Sequence, residues 1–129
     1  MGNGTSIGRV RGLGSAHHGA HHWLQQRFTA IGNLVLALFL VISIALLPAY
    51  DYATMSEWAG SAIPATAIAL LIVSVFWHAR LGLQVLIEDY VHDAGTKFGV
   101  IALLNLAAVG GAAFGLFSIA RLALPGGAV

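Results

Sequence analysis

Three long stretches of this chain contain no charged residue, and they limit the folds that the chain can adopt. The charged residues that bound the three stretches are, in order, Arg27 and Asp51, Glu57 and Arg80, and Lys97 and Arg121. Each stretch exceeds the roughly 20 residues that a helix needs to cross the hydrocarbon core of a bilayer. The sequence therefore predicts three transmembrane helices, near residues 28–50, 61–90 and 97–121.

The composition agrees with a membrane setting. Hydrophobic residues make up 58% of the chain and charged residues only 9%, whereas soluble domains contain about 25% charged residues. A closed strand barrel also satisfies its backbone in lipid, but its strands alternate apolar and polar residues, and these runs do not. We predict an all-α membrane protein. The formal charge of +1 argues against strong nucleic-acid binding, and the absence of cysteine excludes disulfides and thiolate metal sites.

The distribution of Lys and Arg predicts the orientation. Three arginines precede the first apolar run, the first loop is acidic, and the second connection is flanked by Arg80 and Lys97. The positive-inside rule then places the N-terminus in the cytoplasm and the C-terminus in the periplasm. We expect a cytoplasmic N-terminal segment, residues 1–27, followed by a three-helix anchor domain, residues 28–129.

Prolines and glycines suggest where helices end and pack. Pro48 is expected to end the first helix, and Pro64 fits the first turn of the second, where a missing N–H is tolerated. In the third helix, Gly111 and Gly115 form a G-x-x-x-G spacing that lets helix backbones approach closely. That spacing serves either packing within the chain or an interface with another subunit.

His78 is the most informative single residue, because polar side chains at membrane depth are expensive and commonly functional. It precedes Tyr90 by 12 residues, about 18 Å along a helix. His78 would therefore lie near mid-membrane if Tyr90 marks the cytoplasmic interface. Helical periodicity places Gly82, Val85 and Asp89 on the same stripe, and Gly82 would leave a flat gap beside the imidazole.

Three roles for His78 are consistent with the sequence: a hydrogen bond to a neighbouring helix, a proton relay, or axial ligation of a haem iron. The gap at Gly82 suits a planar macrocycle. The other histidines all lie outside the predicted spans, namely His17, His18, His21, His22 and His92. A haem with two histidine ligands would therefore need its second ligand from another chain.

Two motifs resemble a known family. The run from His78 to His92, HARLGLQVLIEDYVH, resembles the haem and quinone helix of the hydrophobic membrane anchor of succinate dehydrogenase, respiratory complex II. The N-terminal residues Gly12–Ala16, Gly19, His22-Trp23, Gln26–Ala30 and Asn33 resemble the form found in alphaproteobacteria and related mitochondria. The two motifs, the three helices and the length together cover nearly the whole chain.

The resemblance implies a set of site residues. His78 corresponds to the axial ligand of haem b, with the second ligand supplied by the other membrane anchor of that complex, the cytochrome b anchor subunit. Tyr90 corresponds to the tyrosine that hydrogen-bonds a ubiquinone carbonyl oxygen, and Asp89 to the neighbouring acid of the quinone pocket. Arg27 corresponds to an arginine near the haem propionates and the quinone pocket.

The resemblance also implies partners and a location. The chain would pack with the cytochrome b anchor subunit into a helical bundle and anchor the flavoprotein and iron–sulfur subunits, which alone hold the FAD and iron–sulfur clusters. It would be a multi-pass protein of the bacterial inner membrane, part of succinate:ubiquinone oxidoreductase and not catalytic by itself. The alternative is a non-redox scaffold or proton-conducting subunit of another respiratory complex.

Two features remain open in the sequence. Arg80 could snorkel toward the cytoplasm with a partial contact to Glu88, which we expect, or contact a haem propionate. The histidines at positions 17, 18, 21 and 22 could bind a metal, but a tight site needs three or four positioned ligands. We expect this segment instead to pack beneath the quinone pocket.

Overall fold

The computed structural model describes residues 19–124, and within them the chain consists of helices and short irregular connections, with no strand. The helices are α1 (Gly19–Ala45), α2 (Tyr52–Gly60), α3 (Ala62–Tyr90) and α4 (Ala94–Ala123). The three long helices, α1, α3 and α4, are each long and apolar enough to cross a membrane. The predicted all-α class with three membrane-spanning helices is therefore confirmed.

The observed helix bounds differ most from the prediction at the first span. Helix α1 begins at Gly19 and not near residue 28. The prediction was based on the charged residue Arg27, which marks where the apolar run begins. The helix itself extends further, through the more polar residues that precede this run. The other two spans, α3 and α4, agree with the predicted 61–90 and 97–121 to within three residues at each end. Helix α2 lies in a loop for which no helix was predicted.

Helix α1 ends three residues before Pro48. The last helical residue is Ala45, and the N–H groups of Leu46 and Leu47 bond to the carbonyls of Ile42 and Ile44. Proline has no N–H to continue this ladder and disfavours the helical conformation of the residue before it. The helix therefore ends before Pro48, whereas the predicted span extended to residue 50.

Aspartates are the N-cap residues of α2 and α4. The Asp51 carboxylate accepts from the Thr54 N–H at 2.9 Å, and the Asp93 carboxylate accepts from the Thr96 N–H at 2.7 Å. Such caps satisfy backbone donors that the first helical turn leaves unpaired. The Thr54 hydroxyl and N–H lower the pKa of Asp51, and the Thr96 N–H and hydroxyl lower the pKa of Asp93. Both caps are therefore charged at neutral pH.

Helix α3 is the middle helix of the molecule. It packs against α1 on one side and α4 on the other, while α2 contacts α3 and α4. Within residues 19–124, no Cα atom of α1 lies within 8 Å of a Cα atom of α4. Few residues are buried as a result, and the burial of Leu81 on α3 is the most complete. Most of the apolar surface is left for lipid or for other chains.

Small residues bring α4 close to α3. A Cβ atom at Gly115 would lie 3.0 Å from Ile72, and one at Gly111 would overlap the ring of Phe76. The absence of side chains at both positions lets the α3 side chains rest on the α4 backbone. The G-x-x-x-G spacing therefore serves packing within the chain, one of the two roles that the sequence left open.

Helix α2 contacts the C-terminal ends of α1 and α4. The Trp58 indole N–H donates to the Ser43 hydroxyl of α1 at 2.8 Å. At the other side, a Cβ atom on Gly60 would lie 2.6 Å from the carbonyl oxygen of Leu122 in α4. Because that neighbour is backbone, it cannot move aside by a change of rotamer.

We expect Gly60→Ala to destabilise the fold by about 1–3 kcal/mol, the usual range for overpacking. Gly110→Ala is the matched control, because a Cβ atom there meets nothing within 4 Å and alanine improves helix propensity by up to about 1 kcal/mol. Denaturation of the detergent-solubilised chain, monitored by circular dichroism, measures both. Equal stabilities for the two variants would contradict the close approach of α2 to α4.

Candidate functional site

His78 faces α1 and hydrogen-bonds to Thr29. The His78 Nδ1 atom lies 3.0 Å from the Thr29 hydroxyl oxygen. The threonine hydroxyl in turn points back at its own helix, 2.8 Å from the carbonyl oxygen of Gln25 and 3.1 Å from that of Gln26. One polar link thus joins the middle of α3 to the first half of α1.

These contacts favour one tautomer of His78. A threonine hydroxyl has a single hydrogen, and backbone carbonyls can only accept. With its hydrogen directed at the Gln25 carbonyl, the nearest acceptor, the Thr29 oxygen can accept from His78, and this arrangement favours a proton on Nδ1. The Nε2 atom of the neutral ring then keeps its lone pair, which is the form of imidazole that binds a metal ion.

The rest of the predicted stripe also faces α1. The Ser74 hydroxyl donates to the Thr29 carbonyl at 3.4 Å, one turn toward the N-terminal end of α3. One turn toward the C-terminal end, a Cβ atom at Gly82 would lie 3.3 Å from the Gln26 side-chain nitrogen. The gap expected at Gly82 therefore receives the Gln26 amide on one side. The Gln26 side-chain oxygen is buried and has no hydrogen-bond partner among the described residues.

A cavity of about 640 Å³ opens between α1 and α3, between His78 and the C-terminal end of α3. Its size lies within the range of small-molecule sites, roughly 300 to 1,000 Å³. Polar groups from both helices line it, including Gln26 from α1 and Gln84 and Glu88 from α3. Gln84 donates to Glu88 at 2.8 Å. The cavity combines an apolar wall with donors and acceptors, as ligand sites do.

The remaining predicted site residues do not converge on His78. Tyr90 is the last residue of α3 and is 77% exposed, and Asp89 beside it is also exposed. The guanidinium of Arg27 lies over the Trp23 ring, 5.4 Å from its centroid. The four residues are thus distributed over the C-terminal half of α3 and the N-terminal half of α1, without forming one enclosed pocket.

Arg80 is oriented differently from the expectation. Its Nε donates to the Asn105 side-chain oxygen of α4, and its guanidinium lies over the Trp77 ring at 5.5 Å from the centroid. Glu88 instead accepts from Gln84. The expected partial contact with Glu88 is therefore wrong, because Arg80 projects from the face of α3 that meets α4. The same position places it on the opposite face from His78.

Half of the N-terminal histidine cluster can be described. His17 and His18 lie outside the described residues. His21 is exposed, with its Nε2 atom 3.0 Å from the Gln25 side-chain nitrogen, and His22 lines the cavity between α1 and α3. Within residues 19–124, no group of three or more histidine, cysteine or acidic residues could hold a metal ion.

Comparison with known proteins decides the family. Residues 1–113 match the family described as succinate dehydrogenase/fumarate reductase transmembrane subunit. The chain belongs to this family. It is 39% identical to the succinate dehydrogenase hydrophobic membrane anchor subunit of Rickettsia bellii over 89 residues, 67% of this chain and 70% of that protein.

Two further relatives agree with this assignment. The hydrophobic membrane anchor subunit of Rickettsia conorii is 36% identical over 107 residues, 81% of this chain and 84% of that protein. The membrane anchor subunit of Reclinomonas americana is 33% identical over 94 residues, 70% of this chain and 78% of that protein. The chain is thus a membrane anchor subunit of succinate dehydrogenase, which replaces the alternative of a subunit from another respiratory complex.

Sequence reasoning missed the polar residues that the fold places beside the expected ones. Thr29 is separated from His78 by 49 positions, and Gln26 from Gly82 by 56 positions of the sequence. Thr29 and Gln26 both belong to the N-terminal motif that resembles the family, and this motif was the only sequence feature that marked them as relevant to the site. Their partners could not be identified from spacing, because the contacts cross between helices.

Proposed function

We propose that the chain supplies His78 as one axial ligand of haem b and Tyr90 as part of the ubiquinone-reduction site of succinate:ubiquinone oxidoreductase. The proposal rests on family membership together with the environment of His78. Succinate oxidation would occur in the flavoprotein subunit. Electrons would arrive through the iron–sulfur subunit, so this chain would have no catalytic activity alone.

The hydrogen bond between His78 and Thr29 is the observation that carries the haem assignment. Metal-binding histidines commonly donate the second ring N–H to a polar acceptor, which sets the tautomer and ring orientation. Thr29 is such an acceptor, and it leaves Nε2 without a hydrogen-bond partner among the described residues. The donor set at His78 therefore fits a haem iron, which would serve as a one-electron carrier.

The second axial ligand would come from the cytochrome b anchor subunit of the complex. Within residues 19–124, His78 is the only histidine inside a long apolar helix at membrane depth, since His21 and His22 precede the charge break at Arg27 and His92 lies beyond α3. The arrangement of α1, α3 and α4 supports a haem site shared between two subunits, because much of the apolar surface of these helices is exposed and can pack against another chain. A helical bundle with the cytochrome b anchor subunit would provide one.

Tyr90 would hold a ubiquinone carbonyl oxygen. A neutral tyrosine hydroxyl can donate a hydrogen bond without introducing a charge. Its exposure at the end of α3 suits a pocket completed by neighbouring subunits. Asp89 would orient neighbouring groups or pass protons, because an ionised carboxylate only accepts hydrogen bonds. Arg27, near the start of α1, would contribute positive charge to the haem propionates and the quinone pocket.

The same proposal includes orientation and location. Three arginines precede the first apolar run, and Lys97 lies at the start of α4. These charges support a cytoplasmic N-terminus and a cytoplasmic position for the end of α3 and the start of α4. The C-terminus would then lie in the periplasm. We propose the bacterial inner membrane as the location, with the quinone site on its cytoplasmic side.

We predict that His78→Ala abolishes or strongly alters the reduced b-type absorption of the purified complex. His92→Ala is the matched control, because His92 is exposed between α3 and α4 and lies outside the spans. Reduced-minus-oxidised difference spectra, normalised to the amount of the flavoprotein subunit, measure haem content. An unchanged spectrum in the His78 variant would refute the assignment of this ligand.

We predict that Thr29→Val raises the midpoint potential of the haem, whereas Thr29→Ser leaves it close to the original value. A hydrogen bond from Nδ1 makes the imidazole a stronger donor and favours oxidised iron. Loss of a bond worth about 1 kcal/mol limits the shift to roughly 40 mV for one electron. Spectroscopic redox titration of the complex gives the potential. A lower potential in the valine variant, or equal shifts in both variants, would contradict the proposed tautomer.

We predict that Tyr90→Phe slows succinate-driven ubiquinone reduction about tenfold, the rate equivalent of one lost hydrogen bond of roughly 1.4 kcal/mol. Reduction of an artificial acceptor by succinate should remain intact, because the soluble subunits are unchanged. Tyr52→Phe serves as the control, since Tyr52 is also highly exposed but lies at the opposite end of the molecule. Equal losses in both assays would point to failed assembly and not to a quinone contact.

A further inference from the structure

Arg80 is a charged side chain without a charged partner among the described residues of its own chain. Its Nε bonds to Asn105 and its guanidinium covers Trp77, and both partners are neutral. A guanidinium has five N–H donors. Among residues 19–124, the donors on its two terminal nitrogens have no acceptor, and the side chain is only half-buried.

The position of Arg80 along α3 places its charge within the membrane. Ten residues separate it from Tyr90 at the cytoplasmic end of the helix, about 15 Å of rise. Asn105 lies eleven residues into the antiparallel α4, about 16 Å from its start, and so at a similar depth. Trp77 lies one turn toward the outer end of α3, so the contact with its ring holds the guanidinium away from the cytoplasmic surface.

The chain itself provides no carboxylate at this depth. No Asp or Glu occurs in residues 28–50, 58–87 or 94–121, which include all three apolar runs. A second copy of the chain therefore cannot supply one either. Lipid phosphates lie outside the hydrocarbon core, which is about 30 Å thick, so they are roughly 15 Å from its centre. Charged residues inside membranes are usually paired with other groups at their own depth.

The surface around Arg80 has the shape of a helix-docking groove. A groove of about 350 Å³ runs between α3 and α4 and is lined by Arg80, Asn105 and apolar side chains. Two of its lining residues, Ala108 and Ala112, are small and four positions apart on α4. This spacing allows the backbone of another transmembrane helix to approach closely.

We propose that the groove between α3 and α4 binds a transmembrane helix of a different subunit, which places an Asp or Glu carboxylate against Arg80. The carboxylate accepts the guanidinium N–H donors that α3 and α4 leave unpaired. The apolar sides of the groove and the two alanines contact the rest of the docking helix. The interaction involves the opposite face of α3 from His78, and it does not depend on haem binding.

Photocrosslinking in the intact complex, in native membranes, tests the proposal. In one variant, benzoylphenylalanine replaces Val109, which lines the groove. In the control variant it replaces Leu103, which lies on another face of α4. The two side chains are similarly exposed, at 69% and 67%. We expect Val109 to form an adduct with a membrane helix of another subunit, mapped by mass spectrometry to within one turn of an Asp or Glu. Leu103 should form little of this adduct.

Substitution of Arg80 tests the charge. Arg80→Gln should lower the yield of the Val109 adduct by about threefold, as expected for one polar contact between membrane helices. Arg80→Lys, which keeps the charge, should preserve most of it. Adducts from Val109 to lipid alone, to a second copy of this chain, or to a helix without a nearby carboxylate would each overturn the proposal. The absorption spectrum tests His78 separately, so the two proposals can fail independently.

Discussion

The packing of α3 between α1 and α4 is the constraint on which the rest of the structure depends. Two stripes on opposite sides of α3 meet different neighbours: His78 meets Thr29 of α1, whereas Phe76 meets the glycine-lined face of α4. Residues two positions apart on a helix differ by about 200°, so Arg80 necessarily projects away from His78. The division of α3 into two faces separates the candidate haem ligand from the charged groove.

The link between His78 and Thr29 illustrates how a weak contact can have a specific chemical effect. A hydrogen bond of this kind contributes only about 1 kcal/mol to stability. Its geometry nevertheless favours a proton on Nδ1 of His78, because the carbonyls of Gln25 and Gln26 compete for the single Thr29 hydrogen. A backbone interaction in α1 thus influences the tautomer of a side chain in α3.

The structure also explains why such a chain works as part of a larger assembly. The backbones of α1 and α4 stay apart within residues 19–124, with no Cα atoms closer than 8 Å, and long apolar side chains remain exposed on all three membrane helices. Tyr90 is exposed, and Arg80 has neutral partners only within that range. Membership in the succinate dehydrogenase anchor family accounts for these exposed apolar and charged side chains, since an anchor subunit packs beside other chains.

The sequence by itself determined the three membrane helices, their approximate limits and the family, because long charge-free runs and short linear motifs are local properties of the chain. It also predicted the stripe that contains His78, since helical periodicity depends only on spacing. The partners of that stripe were decided by the tertiary structure. Thr29, Gln26 and Asn105 became relevant through contacts between helices. The orientation of Arg80 was predicted incorrectly for the same reason: the choice between Glu88 and Asn105 depends on which helix packs against each face of α3.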